Sequence, residues 1–391
     1  MLYKKQLIEE ILPFWMENAI DYENGGIFTS LDEKGEIYGR EKSVWFQGRA
    51  LWTFSKVYNL IHRDPQYLTA AKNIFDFLTK CSDDDGRMYF TVTEDGKGIQ
   101  KRRYYFSETF AAIGCAEYYK ACGDISALLS ARKYFEIAYE CYTGKRITEP
   151  KFNKDTFCFK ALSPVMIMLS TAQTMRAIDI ENEKSYDKIA SDCLNEILRG
   201  GFLTERGLFE NVSVAGTTVD SPTGRIINPG HSMEAAWFVI LEGILTKNDE
   251  AIAAGKKIID ITLPIGWDDK FGGIKAFVDV SGKPPMQLEW DMKLWWPQCE
   301  TIIAARLAYD LFGEEKYLKL WKATEEYCEK YFIDKAHGEW YGYLHYDNTP
   351  STTLKGNIFK GPFHIPRLYI IMALLEDGAS IESYALNISN F

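Results

Sequence analysis

Six strongly apolar helical segments recur along this chain at intervals of 56 to 69 residues, and this repeat limits the folds open to it. The six helices are predicted to begin near residues 47, 106, 162, 231, 298 and 364. Self-similarity of this length is typical of repeat architectures, in which each unit needs its neighbours to bury its apolar face. In the fourth segment the apolar positions i, i+4, i+7, i+8, i+11 and i+12 share one helix face and are Met233, Trp237, Ile240, Leu241, Ile244 and Leu245.

More polar helices separate the apolar ones, for example at residues 64–81 and 315–332. They are followed by turns in which acidic residues and glycine precede an aromatic or aliphatic pair, a pattern that predicts a helix end leading into a short hairpin. These turns read DYENGGIF, DDDGRMYF, TERGLFEN, WDDKFGGI and DKAHGEWYGYL, and the third unit, around CYTGKRITEP, is the weakest match. The repeating unit is therefore a helix pair joined to the next pair by a hairpin.

Six such pairs suit a closed ring with six apolar helices inside and six amphipathic helices outside. The alternative is an open solenoid, which is disfavoured because neither end of the sequence resembles a polar capping repeat. We predict an all-α fold, an (α/α)6 barrel or six-hairpin toroid, with short β-hairpins in the connecting loops. Residues 1–391 are predicted to form one catalytic domain.

Composition narrows the classes of partner. The net charge of −10 is scattered and lacks the basic excess that phosphate backbones require, so no nucleic-acid partner is expected. No apolar run is long enough to span a bilayer, and the opening residues lack a signal-peptide core. Eight dispersed cysteines with no CxxC pair argue against a zinc site and a disulfide framework. We expect a cytoplasmic protein with reduced thiols and no membrane partner.

A ring of parallel inner helices gathers their first turns at one mouth. Polar residues at these starts would therefore converge on a pocket rimmed by tryptophans, which suit sugar stacking. The polar residues are Gln47, Arg49, Ser107, Glu108, Lys160, Ser163, His231, Glu234, Glu300, His364 and Arg367, and the tryptophans are Trp45, Trp237, Trp295 and Trp296.

The two histidines suggest proton transfer at carbon. His231 precedes Ser232, a suitable N-cap, and Glu234 lies within reach on the same helix. A helix N-terminus disfavours an imidazolium, whereas a carboxylate partner favours it, so this histidine could titrate near neutrality. With His364 on the other side of the pocket, two imidazoles could remove and return a proton on opposite faces of one carbon, while an arginine holds the developing charge.

Other readings of the same residues stay open. Glu108 and Glu300 could be the acid and base of a glycoside hydrolase, since that chemistry needs only two carboxylates. A binding protein could use the tryptophan-lined mouth to hold a partner without reaction. No metal site is expected, because two distant histidines without an HxH or HxxxH pair fall short of the three or four ligands that a metal needs.

Long motifs also carry a family resemblance. The segments KSVWFQGRALW, YYFSETFAAIGCAEY, INPGHSMEAAWF, QLEWDMKLWWPQCETIIA, GEWYGYL and KGPFHIPR together resemble the N-acylglucosamine 2-epimerase family, whose members are also known as renin-binding proteins. The resemblance runs from about residue 10 to residue 375. It implies interconversion of N-acetyl-D-glucosamine and N-acetyl-D-mannosamine in the ring-opened form. Relatives with this barrel include cellobiose 2-epimerases and aldose–ketose isomerases, which remain alternatives.

The resemblance implies roles for individual residues. His231 and His364 would be the catalytic pair, one removing the C2 proton and the other returning it to the opposite face of an enediolate-like intermediate. Glu300 would assist ring opening or orient an imidazole, and Glu234 would hydrogen-bond His231. The family also implies a homodimer, no required cofactor, and ATP or another nucleotide as an activator that is not consumed. The predicted substrate contacts are Arg49, Glu300, Arg367, Glu234, Glu108, Trp45, Gln47 and Trp296, the two arginines holding sugar oxygens.

Overall fold

Long helices follow one another along the chain, separated by short strands and turns. The computed structural model describes residues 2–102, 104–148, 158–378, 380, 381 and 385. In chain order the helices are α1 (Leu2–Gln6), a π-helical turn (Leu7–Ile11), α2 (Leu12–Asn18), α3 (Val44–Leu60), α4 (Pro65–Leu78), α5 (Phe106–Cys122), α6 (Ile125–Thr143), α7 (Leu162–Ile178), a 3-10 turn (Ile180–Asn182), α8 (Glu183–Arg199), α9 (Pro229–Thr246), α10 (Asp249–Gly266), α11 (Trp295–Phe312), α12 (Glu315–Tyr331) and α13 (His364–Glu376).

The helices close into a ring. The six inner helices are α3, α5, α7, α9, α11 and α13; each packs against the next, and α13 packs against α3. Five outer helices, α4, α6, α8, α10 and α12, each pack against the inner helix that precedes them in sequence. The sixth outer position is filled by the N-terminal helical segment, of which α1 and the π-helical turn contact α13. The predicted (α/α)6 barrel is therefore confirmed, and the open solenoid is excluded.

Side-chain caps explain where several outer helices begin. The carboxylate of Asp64 accepts a hydrogen bond from the backbone N–H of Gln66 at 2.9 Å, and Asp124 does the same for Ser126 at 2.9 Å. Asn248 accepts from the N–H of Ala251 at 3.1 Å. Each cap satisfies one of the backbone donors that a helix start leaves without an internal partner. The starts of α4, α6 and α10 are thus each set by one local polar residue.

Short antiparallel strands connect the helix pairs. The strands are β1 (Ser30–Leu31), β2 (Ile37–Gly39), β3 (Lys42–Ser43), β4 (Thr91–Val92), β5 (Gly98–Gln100), β6 (Phe159–Ala161), β7 (Asn211–Ser213), β8 (Ile226–Ile227), β9 (Val278–Asp279), β10 (Lys293–Leu294), β11 (Tyr343–Leu344) and β12 (Pro350–Thr352). Strands β3, β6, β8 and β10 lie directly before an inner helix, and each pairs with a strand that follows the next outer helix. This pairing ties the start of each of these inner helices to the adjacent unit.

The predicted hairpin turns are present after five outer segments. Each is closed by an isolated backbone bridge, namely Ile20 to Ile27, Ser82 to Met88, Leu203 to Leu208, Trp267 to Ile274 and Ile333 to Trp340. The turn predicted around residues 141–150 runs into residues that lie outside the described part of the chain.

Two further features bear on the sequence expectations, namely the state of the cysteines and the apolarity of the helices. All eight cysteines are free thiols, and six of them are buried. Across the described residues, no helix combines the length and apolarity that a transmembrane segment needs.

Candidate active site

A cavity of about 970 Å3 opens where the first turns of the six inner helices meet. Every inner helix contributes to its wall. The wall includes Trp45 and Arg49 of α3, Phe106 and Phe110 of α5, Ser163 and Met166 of α7, His231 and Glu234 of α9, Trp295 and Trp296 of α11, and His364 and Arg367 of α13. Six of the eleven polar residues expected at this pocket line its wall, namely Arg49, Ser163, His231, Glu234, His364 and Arg367.

His231 is held from two sides. Asn228 caps α9 and accepts a hydrogen bond from the backbone N–H of His231 at 3.1 Å. The ring Nδ1 lies 2.9 Å from Oε1 of Glu210, which precedes β7. Because a carboxylate only accepts hydrogen bonds, Nδ1 carries the hydrogen and Nε2 is the ring nitrogen available to a ligand.

These contacts correct two expectations. The N-cap of α9 is Asn228, and Ser232 lies a turn further along, where its hydroxyl donates to the carbonyl of Asn228 at 3.2 Å. The carboxylate bonded to His231 belongs to Glu210, because Glu234 is already engaged by Arg367, with Nη2 to Oε1 at 2.6 Å.

His364 belongs to a buried network centred on Glu300. Its Nδ1 lies 2.8 Å from Oε1 of Glu300, which also accepts from Nη2 of Arg367 at 2.6 Å. The other carboxylate oxygen, Oε2, accepts from the indole Nε1 of Trp237 at 2.9 Å. Arg367 thus bridges Glu234 and Glu300, and the network fixes the orientation of the His364 ring.

One tryptophan contacts both imidazoles. The ring centroid of Trp296 lies 5.1 Å from that of His231 and 5.9 Å from that of His364. Trp45 and Trp295 also line the cavity. Trp237 does not, since it is buried behind the wall with its indole bonded to Glu300, so its predicted place at the rim is corrected.

Arg49 is a cation without a carboxylate partner. Its guanidinium lies 4.0 Å from the ring centroid of Phe110 and 5.2 Å from that of Phe363, and Nη1 donates to the Phe359 carbonyl at 3.2 Å. Within the described residues it makes no ion pair, and its Nε has no hydrogen-bond partner. Burial lowers the pKa of Arg49 to about 9, opposed by the charge of Glu234, so the group stays cationic at neutral pH.

The two imidazoles differ in protonation. For His231, burial lowers the pKa, but the charge and hydrogen bond of Glu210 outweigh it and raise the pKa above its ordinary value. For His364, burial and the charges of Arg367 and Arg49 together lower the pKa well below the ordinary value. At a pH between these two pKa values, His231 is the protonated imidazole and His364 the neutral one, which gives the cavity an acid and a base.

Three predicted contact residues lie behind the cavity wall: Glu300, in the network with His364 described above, and also Gln47 and Glu108. Gln47 is fully buried and binds the backbone N–H and carbonyl of Ile27, both at 2.8 Å. Glu108 is fully buried, and its Oε1 accepts from Nε of Arg87 at 2.5 Å and from the N–H of Met88 at 2.9 Å. Both side chains tie an inner helix to the turn of the preceding unit. We therefore leave them out of the proposed substrate contacts.

Glu234, Glu300 and His364 also have the composition of a metal site, with ligand atoms within 4.8 Å of one another. A guanidinium already lies among them, since Arg367 is 2.6 Å from both carboxylates. One of the two negative charges of this cluster is thus offset by an arginine of the chain itself.

Solved structures share this architecture. The structure of cellobiose 2-epimerase from Bacillus thermoamylovorans B4167 superposes with a TM-score of 0.82 at 20% sequence identity, covering 94% of this chain and 97% of that one. Likeness at this identity establishes the fold. It places the chain in the class of (α/α)6-barrel proteins.

Sequence comparisons identify the family within that class. N-acylglucosamine 2-epimerase of Mus musculus is 33% identical over 374 residues, covering 93% of this chain and 88% of the relative. Cellobiose 2-epimerase of Ruminococcus albus is 25% identical over 393 residues, covering 97% and 98%. The family model for N-acylglucosamine 2-epimerase (GlcNAc 2-epimerase) matches residues 26–363. The chain belongs to this family and is a carbohydrate epimerase, an isomerase.

Proposed function

We propose that this protein interconverts N-acetyl-D-glucosamine and N-acetyl-D-mannosamine by moving a proton at C2 of the ring-opened sugar. The observation that carries the proposal is the imidazole pair on one cavity, His231 and His364, each bonded through Nδ1 to a carboxylate and both in contact with Trp296. The 33% identity to the mouse N-acylglucosamine 2-epimerase supports the choice of sugar.

The proton transfer needs one base and one acid. In one direction, Nε2 of neutral His364 takes the C2 proton, and the bonding electrons move towards the C1 carbonyl to give an enediolate-like intermediate. His231 then delivers its Nε2 proton to the opposite face of C2, which inverts the centre. In the reverse reaction the single proton of the pair is on His364, which is then the acid, and His231 is the base. No redox step occurs, because the proton removed and the proton returned balance.

The remaining wall residues would hold the substrate and its developing charge. Arg49, whose cation has no carboxylate partner among the described residues, would stabilise the oxyanion that forms on the C1 oxygen. Glu300 would orient His364, and Arg367 would keep Glu234 and Glu300 in place. Trp45 and Trp296 would supply aromatic surface for the sugar.

Two other reactions can be separated by their products. Cellobiose 2-epimerisation and aldose–ketose isomerisation begin with the same removal of the C2 proton, and the 25% identity to a cellobiose 2-epimerase keeps the first of them a candidate. Glycoside hydrolysis by Glu108 and Glu300 loses its basis, because Glu108 does not reach the cavity and is bonded to Arg87.

Product analysis tests the proposal. The protein is incubated with N-acetyl-D-mannosamine, cellobiose or D-mannose, and the products are identified by NMR. We expect N-acetyl-D-glucosamine to form with the highest kcat/KM of the three reactions. A higher kcat/KM for cellobiose epimerisation, or for ketose formation from mannose, would contradict the choice of sugar.

The proposal includes the properties expected from the family. We propose that residues 1–391 act as one catalytic domain in a cytoplasmic homodimer that needs no cofactor and responds to ATP as an activator. Light scattering tests the dimer. Activity after dialysis against EDTA, with and without added ATP, tests the other two expectations.

A further inference from the structure

Glu210 stands apart from the other carboxylates near the site. It lies in the turn before β7, in the segment GLFEN, and its side chain is largely buried beside His231. Its backbone is fixed on both sides, since its N–H donates to the Ile226 carbonyl at 3.0 Å and its carbonyl accepts from the N–H of Leu162 at 3.0 Å. The carboxylate is therefore presented to His231 by a braced segment of backbone.

The two histidine-bound carboxylates have different partners. Glu300 shares its charge with the guanidinium of Arg367 and with the indole of Trp237. Within the described part of the chain, Glu210 pairs with His231 and with no other cation. The lysine closest in the hairpin, Lys160 of β6, is bonded to Glu196 at 2.5 Å. Among the described residues, His231 therefore faces a carboxylate with no second cation, whereas the carboxylate beside His364 also pairs with Arg367.

We propose that Glu210 is a positioning residue whose carboxylate orients the His231 ring and keeps a proton on it, so that His231 serves as the acid of the catalytic pair. The inference rests on the proposed function and deepens it, because it explains how one cavity holds two imidazoles that differ in their tendency to bind a proton. The Glu210 side chain does not transfer the proton itself, since its contact is with Nδ1 and leaves Nε2 as the ring nitrogen available to the substrate.

Other charges also act on His231 and are unchanged when Glu210 is replaced. Glu234 lies on the same helix, Glu300 faces it from α11, and His364 and Arg367 face it from α13. Glu289 lines the cavity as well. The residues that α7 contributes to the wall carry no charge. Replacement of Glu210 alone therefore isolates its own contribution.

The decisive variant is Glu210→Gln, which keeps a carbonyl oxygen to accept from Nδ1 but removes the charge. Glu210→Asp keeps the negative charge on a side chain that is one methylene group shorter. Glu196→Gln is the matched control, because it removes an ion pair from the same hairpin without touching either histidine. Circular dichroism and thermal unfolding of all three variants confirm that the barrel is intact.

The first readout is the titration of His231 itself. Protein labelled with 15N-histidine contains five imidazoles, and the His231 signal is assigned by its loss in His231→Gln. In Glu210→Gln we expect the His231 midpoint to fall by about one to three pH units. The midpoint in Glu210→Asp should lie between those of Glu210→Gln and the wild type, and the midpoint in Glu196→Gln should match the wild type. An unmoved His231 midpoint in Glu210→Gln would overturn the inference.

The second readout is the pH profile of kcat/KM for the epimerised sugar. The alkaline limb should move to lower pH in Glu210→Gln by the same amount as the His231 midpoint, and be partly restored in Glu210→Asp. If the His231 titration midpoint falls in Glu210→Gln but the alkaline limb of kcat/KM stays in place, the inference is also overturned. If the wild type epimerises none of the sugars tested, the proposed function fails, whereas the NMR titration still decides what Glu210 does to His231.

Discussion

At the scale of single residues, the two histidines show how neighbours set the chemistry of identical side chains. Both bond a carboxylate through Nδ1 and both contact Trp296. Their pKa values nevertheless move in opposite directions, because Glu210 acts on His231 as a carboxylate with no second cation among the described residues, whereas His364 is buried beside two arginines. A hydrogen-bonded carboxylate alone therefore does not raise the pKa of a histidine, because burial and nearby cations can outweigh it.

This asymmetry predicts the pH dependence of the reaction. The active form carries one proton on the pair, so kcat/KM should fall at low pH when His364 becomes protonated and at high pH when His231 loses its proton. The acid limb should lie well below pH 6.5 and the alkaline limb above it, since the two pKa values are displaced in these directions. Initial rates from pH 4 to 10 check this. A profile with both limbs on the same side of pH 6.5 would contradict it.

Arg49 gives a second prediction at this scale. Arg49→Met keeps much of the side-chain volume against Phe110 and removes the cation that has no carboxylate partner among the described residues. We expect kcat/KM to fall by about 100- to 1,000-fold with little change in thermal stability, as for loss of an oxyanion donor. The exposed Arg63→Met is the control and should retain wild-type rates. Retained activity in Arg49→Met would remove Arg49 from the mechanism.

The sequence predicted the residues on the cavity better than their pairing. His231, His364, Arg49 and Arg367 all line the wall, as their places in the helix starts suggested. The partner of His231 was not foreseen, because Glu210 is 21 residues away and approaches only when the hairpin folds back.

Gln47 and Glu108 stood at helix starts but face the turns behind the wall. For Gln47, the sequence contained an indication of a structural role. Gln298 occupies the corresponding place at the start of α11 and binds the backbone of Ile274 as Gln47 binds that of Ile27. A polar residue repeated at equivalent positions indicates a structural role.

At the scale of elements, glycines set how closely two inner helices approach. A Cβ atom on Gly48 of α3 would lie 2.6 Å from the backbone carbon of Phe110, and one on Gly114 of α5 would lie 2.6 Å from the carbonyl oxygen of Gly48. The crossing of α3 and α5 therefore leaves no room for a methyl group. This contact also fixes Arg49 relative to Phe110.

Substitution at this crossing should destabilise the barrel. Gly48→Ala and Gly114→Ala each gain helix propensity but force backbone apart, and we expect a net loss of about 1–3 kcal/mol in the free energy of unfolding. Urea denaturation measures it. Glu136→Ala on the exposed face of α6 is the control and should stay within about 0.5 kcal/mol of the wild type. Wild-type stability in both glycine variants would show that the crossing can widen.

Periodicity located all six inner helices, and three of them, α5, α7 and α13, begin at the predicted residues 106, 162 and 364. The starts predicted near 47 and 298 lie at Val44 and Trp295, about one turn earlier. Apolar spacing marks where a helix is buried, whereas the actual start is set by the strand before it. Strands β3 and β10 end at Ser43 and Leu294, and each is held by pairing with a hairpin distant in sequence. Because the pairing joins segments that are distant in sequence, the residues around the helix start do not reveal it.

At the scale of the whole molecule, the two ends of the helical chain complete the ring. The N-terminal segment, α1 to α2, occupies the outer position beside α13, so the sixth helix pair is built from opposite ends of the sequence. The period of the repeat was enough to predict a closed ring of six pairs. It could not show which segment closes the ring, because that contact joins residues more than 340 positions apart.

Trp15 is central to this closure. Its side chain is fully buried, packs edge-on against Phe46 with ring centroids 5.7 Å apart, and lies 5.7 Å from Nζ of Lys360. Trp15→Ala should lower the free energy of unfolding by about 3–5 kcal/mol. Tyr22→Ala, at a side chain 66% exposed, is the control and should have little effect. Equal stability of the two variants would contradict the role assigned to the N-terminal segment in closing the ring.

The central claim is that His231 and His364 together move a proton at C2, and one NMR experiment tests it most directly. N-acetyl-D-mannosamine is incubated in D2O with the wild type, His231→Ala and His364→Ala, and the C2 proton is followed. The wild type should yield N-acetyl-D-glucosamine with deuterium at C2, since a histidine proton exchanges with solvent before it is delivered, and both variants should be inactive. Epimerisation that persists in either variant, or that leaves protium at C2, would contradict the two-histidine mechanism.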